Sequence, residues 1–177
     1  MKIGFVSDSY PLGGIAKVVS LIGSSLENEG YSSFYLAVSG VDSNFYQIPK
    51  SKLIIANNKP RHFNKYASKL KIFINSKLNG GNVDLGKYRI DELSNIKKFI
   101  ENKNLDTIVI CRYDLTFLVS KIKESFPNLK IIVWIHGPVE LYTKKKERLK
   151  YLKYYLDNLH LCDEVICLTS FDLLELE

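Results

Sequence analysis

Apolar and polar positions along this chain switch between two periods, and the switching lays out an α/β order. Ile3, Phe5 and Val6 make residues 2–7 a short apolar strand, followed by a turn-rich loop, DSYPLGG. Ile15, Val18, Val19, Ile22 and Leu26 then recur at helical spacing, and Gly30 is placed to close that helix as a C-terminal cap residue. Residues 33–38 read as a second strand and residues 52–56 as a shorter third. A long amphipathic pattern follows, with Phe63, Tyr66, Leu70, Phe73, Ile74 and Leu78, and it stops at Asn79-Gly80-Gly81. The second half alternates more cleanly. A helix over 91–102, with Leu93, Ile96, Phe99 and Ile100, precedes a strand over 107–111. A helix over 116–126 is broken by Pro127 and Asn128 before the strand 130–135, whose end delivers His136-Gly137-Pro138. A lysine-rich helix with Leu149, Leu152, Leu156 and Leu159 leads to a last strand over 164–168 and the start of one more helix.

Strands alternating with helices imply right-handed crossovers and a parallel sheet covered on both faces. The pattern predicts a doubly wound, mostly parallel, Rossmann-like sheet of about six strands, forming a single domain over residues 1–177. Ligands of such sheets collect at the carboxyl ends of the strands, near the switch point between the two halves. That rule selects residues 8–14, 112–114 and 136–138, together with Thr169 and Ser170.

Composition narrows the class. The hydrophobic fraction of 46% is ordinary for a globular protein. The longest apolar runs, such as 131–135, are strand-sized and fall far below the roughly 18 residues of a membrane-spanning helix. The amino terminus has no signal-peptide pattern and reads as a cytoplasmic first strand. Cys111, Cys162 and Cys167 match no zinc or redox spacing, so reduced, mostly buried thiols are expected. The net charge of +6 is unevenly spread. Residues 43–83 hold eight lysines and arginines and no acid, whereas the rest of the chain is net negative by two. A basic block on a near-neutral body points to an anionic partner.

Gly13-Gly14-Ile15 stands between the first strand and the first helix, where free backbone N–H groups can hold a phosphate or carboxylate. The alternative is a tight turn that simply needs two glycines. The loop lacks the G-x-G-x-x-G spacing, and Ser39-Gly40 occupies the place of a ribose-binding acid, which disfavours an NAD-type site. Nucleophile-elbow, Walker, H-E-x-x-H and paired-carboxylate patterns are missing too, so hydrolase, NTPase and zinc-protease readings have no foothold. His136 follows an apolar strand at the edge of the expected cleft, where its ring could donate to a ligand oxygen. Its alternative is a loop histidine bonded to backbone.

Together these features resemble a known family. KIGFVSDSYPLGGIAKVVSLIGSSLENEGY is similar to the amino terminus of family 4 (group 1) GT-B glycosyltransferases, where a first strand runs into a Gly-Gly-hydrophobic loop and a long helix closed by Gly. KIIVWIHGP resembles that family's strand ending in a histidine, and CDEVICLTS its pattern of Asp, an apolar strand and a Ser or Thr. The three matches come in the family's order, while residues 41–105 match in pattern only. The resemblance implies that Gly14, with Gly13 and Ile15, offers backbone N–H groups to the diphosphate of a nucleotide sugar. It implies that His136, the expected catalytic residue, contacts the transferred sugar. Asp8 and Tyr10 would face the acceptor, a saccharide or lipid-linked saccharide, with Arg112 and Thr169 at the same strand ends. It further implies transfer with retention, no cofactor beyond the donor substrate and, in most members, no metal. The family's second Rossmann domain, which grips the donor, is not among these 177 residues. This chain would then be the acceptor-side half, inactive alone, and Leu176-Glu177 would fit a cloning remnant.

The acid-free stretch bears on partners. A basic helix face with Lys65, Lys69 and Lys71, set beside Phe63, Tyr66 and Phe73, suits an anionic membrane surface. The alternative is a helix that packs its apolar face on the sheet and solvates its lysines. A second basic run, from Lys144 to Lys153, and the family's lipid-linked acceptors favour a peripheral position on the inner face of the cytoplasmic membrane. Nucleic acid is not expected, because no RNP-like, KH or zinc-finger signature is present. The competing function is a non-catalytic α/β module that binds an anionic ligand or partner.

Overall fold

The computed structural model describes residues 1–41, 44–56, 85–140, 144, 151–174 and 176. The expected helix from Phe63 to Leu78, with Lys65, Lys69 and Lys71, lies outside the described residues, as do Leu149 and most of the second basic run.

Among the described residues, six strands form one all-parallel sheet: β1 (Lys2–Ser7), β2 (Ser32–Ala37), β3 (Leu53–Ile55), β4 (Thr107–Ile110), β5 (Lys130–Trp134) and β6 (Glu164–Ile166). Their spatial order is β3-β2-β1-β4-β5-β6, the doubly wound order. Winding reverses between β1 and β4, so a crevice opens at the carboxyl ends of those two strands. Register explains the two-sided core. Ile54, Leu36, Val6, Ile110, Val133 and Val165 form one row across the sheet, and all face the same layer. The preceding row, with Tyr35, Phe5, Val109 and Ile132, faces the opposite layer. Successive side chains on a strand point to opposite faces, so a strand covered on both must be apolar throughout.

Helix α1 (Gly14–Asn28) covers the Phe5 face, while α2 (Ile90–Lys103), α3 (Val119–Ser125) and α4 (Leu152–Leu159) cover the Val6 face. A short α5 (Ser170–Leu174) follows β6. Gly30 closes α1 as expected: it adopts φ +87°, and the amides of Gly30 and Tyr31 return to the carbonyls of Glu27 and Leu26.

The buried stripe of α1 keeps Ile15, Val19 and Leu26 on the core as expected but departs from the expectation at Val18 and Ile22. Ala16, Val19 and Gly23 are buried, whereas Val18 and Ile22 are each 38% exposed. The helix approaches the sheet along its small residues because Tyr35 stands beneath it. A Cβ added at Gly23 would fall 1.9 Å from the Tyr35 hydroxyl. The expected helix over 116–126 is also divided, into a 3₁₀ segment at Tyr113–Leu118 and then α3. Leu115, Thr116, Phe117 and Leu118 are buried consecutively, which an amphipathic α-helix cannot do and a short enclosed 3₁₀ turn can.

Candidate functional site

Every segment selected by the strand-end rule arrives at one edge of the sheet. Asp8 follows β1, Arg112 follows β4, His136 follows β5 and Thr169 follows β6. Beside Arg112 and His136 lies a cleft of about 450 Å³, whose lining includes Ile15, Arg112, Asp114, His136, Tyr151 and Tyr155. Ile15 belongs to the first turn of α1, so the start of that helix borders the same space as His136 and Arg112.

The helix start is open. No side chain caps it, its first turn holds no acid, and Gly13 donates only a long hydrogen bond to the Tyr46 hydroxyl (3.4 Å). Gly13 is extended (φ 168°), a conformation any residue adopts, and neither it nor Gly14 has the left-handed backbone seen at Gly30 and Gly40. A Cβ at either position would meet nothing within 4 Å. The fold therefore requires glycine at neither place. A bare pair there leaves the first N–H groups of α1 accessible to a bulky anion.

His136 lies against the indole of Trp134, with ring centroids 4.4 Å apart and planes tilted by 30°. The two residues are separated by one, so an extended backbone puts both rings on one side. Nε2 of His136 is buried and no described residue bonds to it. Burial pulls the ring's pKa down to about 4, so at neutral pH it is an uncharged imidazole with one donor and one acceptor nitrogen. A buried polar atom without a partner loses its hydration and receives nothing in return, so a ligand group that reached Nε2 would satisfy it.

The floor between β1 and β4 carries alternating charges. Arg112 Nη2 pairs with Asp8 Oδ2 (2.7 Å), its Nε reaches Asp114 Oδ1 (3.4 Å), and Arg89, just ahead of α2, pairs with Asp114 Oδ2. Burial pushes the Asp8 carboxyl up, Asp114 adds to that, and Arg112 and Arg89 pull it partly back. Tyr113 completes this side; its ring packs against Tyr155 at 4.5 Å.

Two expected acceptor residues are placed differently. Tyr10 is 1% exposed and donates from its hydroxyl to the Phe5 carbonyl (2.9 Å), so its side chain fills the core rather than facing the acceptor. A tyrosine carries enough apolar ring to be buried once its hydroxyl finds a partner. The Thr169 hydroxyl donates to Asp172 Oδ2 (2.7 Å) and accepts from the Asp172 amide (3.1 Å), capping α5. Trp134, Tyr155, Arg89 and Asp172 are site or support residues that sequence reasoning missed. The Thr169-x-x-Asp172 spacing was the one local signal for the last of them.

Cys111 is buried, and burial pushes its thiol well up, so it is inert; Cys162 and Cys167 are half-buried and also free. Among the described residues no group of His, Cys, Asp and Glu could hold a metal ion, and no helix is long and apolar enough to cross a membrane. Neither a protein-family profile nor a curated protein matches the chain.

Proposed function

We propose that this chain is the acceptor-side half of a GT-B glycosyltransferase that moves a sugar from a nucleotide sugar to a saccharide or lipid-linked saccharide. The observation that carries the reading is a conjunction: Ile15, in the uncapped first turn of α1 next to the glycine pair, and His136, whose Nε2 has no partner among the described residues, line one cleft at the switch point of a doubly wound sheet. The donor diphosphate sits on the N–H groups of Gly14 and Ile15, where the helix dipole contributes roughly 0.3 to 2 kcal/mol. His136, neutral and buried, hydrogen-bonds a hydroxyl of the transferring sugar. Asp8 and Arg112 offer a carboxylate and a guanidinium for acceptor hydroxyls, beside the aromatic rings of Tyr113 and Tyr155. In the transfer step the bond from the anomeric carbon to the diphosphate oxygen breaks, and a bond to the acceptor oxygen forms. The acceptor proton leaves on the departing diphosphate. The donor's base and sugar are held mainly by a second domain, and the basic stretch of residues 43–83 brings the protein to an anionic membrane that carries lipid-linked acceptors.

The test is isotope-labelled transfer by the full gene product, with His136→Ala and Gly14→Val. Both variants should fold, since neither position supports the core. Loss of a hydrogen-bond donor aimed at the reacting group should lower turnover by about 10²- to 10³-fold, and a side chain at position 14 should weaken donor binding. Wild-type rates and donor affinity in both folded variants would refute the assignment, and nucleotide-sugar binding without any transfer by the wild type would leave only a binding module.

A further inference from the structure

The loop that carries His136 is held at both ends by groups outside β5. At its near end the Ile135 amide donates to the Ile166 carbonyl (2.8 Å), which extends the contact between β5 and β6 past Trp134. At its far end the Val139 amide donates to Asp172 Oδ1 (2.8 Å), from α5, 33 residues further along the chain. Val139 is fully buried and Asp172 is 6% exposed, so this bond is shielded from water. The carboxylate is aimed as well as buried. Its other oxygen accepts from the Thr169 hydroxyl, and the Asp172 amide donates back to that hydroxyl. The Val139 amide above all, and then the Thr169 hydroxyl, hold the Asp172 carboxyl below its ordinary pKa and keep it a charged acceptor.

Capping α5 needs only the bond from the Asp172 amide to the Thr169 hydroxyl. The bond to Val139 is not part of that cap; it joins the helix to the loop that follows His136. Between the two attachments sits His136, whose ring no described residue hydrogen-bonds, so its aim depends on the loop backbone and on packing, the Trp134 indole included.

We propose that Asp172 is a positioning residue: through the Val139 amide it holds the loop that points His136 into the cleft. The functional half of this statement rests on His136 touching a ligand, as proposed above; the mechanical half is testable with no ligand at all.

Two variants separate the roles in the 177-residue chain. Asp172→Ala removes the acceptor, whereas Asp172→Asn keeps a carbonyl oxygen for Val139 and an amide for the Thr169 oxygen. By NMR, the ring protons of His136 should carry an upfield ring-current shift from Trp134 in the wild type and in D172N, and lose most of it in D172A. Val139 amide exchange should accelerate about tenfold or more in D172A, as expected for losing a hydrogen bond to a charged acceptor, and recover in D172N. A folded D172A with wild-type His136 shifts and Val139 exchange would overturn the proposal. Should D172A not fold, the wild type still decides: a Val139 amide exchanging as fast as the exposed amide of Gly14 would overturn it equally. In the transfer assay, D172A combined with H136A should be no slower than H136A alone. Additive losses would remove the link between Asp172 and His136 while leaving the glycosyltransferase reading intact, and an inactive wild type would remove that reading and the functional half together.

Discussion

Charged residues beside the cleft feel burial and neighbouring charges pulling in opposite directions, and Asp8, paired with the lining residue Arg112, shows which wins. Its carboxyl lies 2.7 Å from the Arg112 guanidinium, yet burial and the nearby Asp114 leave its pKa raised. A carboxyl that binds its proton more tightly in the fold contributes stability that is complete below its unfolded pKa and is lost as pH rises through the folded value. At neutral pH the Asp8 charge is therefore a net burden on the fold, a pattern typical of functional groups. Asp8→Asn should leave the melting temperature at pH 7 equal or higher and abolish this acid-side contribution, as melts at pH 4 and pH 7 would show. A drop of more than about 4 °C at pH 7, equivalent to roughly 1 kcal/mol or more, would instead make the Asp8–Arg112 pair a structural ion pair. At this scale the strand-end rule placed Asp8, Arg112 and His136 at one sheet edge, because each directly follows a strand whose apolar pattern is plain. The resemblance turned Tyr10 toward the acceptor, whereas its side chain enters the core, because an amphipathic side chain shortly after a strand gives no sign of which way it points.

Elements show how small residues decide docking. The hydrophobic period of α1 nominates Ile15, Val18, Val19, Ile22 and Leu26 for the interface; Val19 is buried and Ile15 and Leu26 pack on the core, but Val18 and Ile22 give way to Ala16 and Gly23. Tyr35, 3% exposed and in edge contact with Tyr10 (5.8 Å), is fixed in place and leaves room only for a glycine above its hydroxyl. The buried bond from the Ser33 hydroxyl to the Gly23 carbonyl (3.0 Å) holds the same close approach. Gly23→Val should therefore lower stability by about 1–3 kcal/mol through overpacking. Tyr35→Phe in the same chain should recover part of that loss, because the hydroxyl is the nearest obstacle. Urea unfolding measures both, and an unchanged midpoint in Gly23→Val would mean that α1 shifts freely on the sheet. A second element-scale contact comes from Asn158 of α4, which accepts from the Ser120 amide (3.0 Å) and donates to the Tyr154 carbonyl (2.9 Å). It ties α4 to the start of α3, a role that a leucine-spaced reading of α4 passes over.

At the scale of the whole molecule, the charge of the acid-free stretch and the position of the cleft are separate features that the proposed function joins. Anionic lipid contributes about 1 kcal/mol per well-placed Lys or Arg, and screening at physiological salt cuts the reach of those charges to about 8 Å. Binding to anionic vesicles should accordingly be released by high salt and fall on reversal of Lys65, Lys69 and Lys71 to Glu. Vesicle co-sedimentation reads this directly, and equal binding to neutral and anionic vesicles, or to neither, would reject the membrane contact.

The sequence by itself determined the strand-helix order, and with it the parallel sheet and the edge at which sheets of this kind collect ligands. Those follow from the periods of apolar residues and from the chirality of the crossovers, both of which act locally along the chain. It also placed Gly13, Gly14 and His136 next to that edge. Tertiary structure alone decided that the two glycines answer no need of the backbone or of packing, since only the space around them separates an open helix start from a tight turn. It alone brought Arg89 to Asp114 across 25 residues and Asp172 to Val139 across 33, because a hydrogen bond between distant segments leaves no period in either one. And it alone left Nε2 of His136 buried without a partner among the described residues, which depends on how the ring packs in the fold, against Trp134 among others, and leaves no mark in the local sequence.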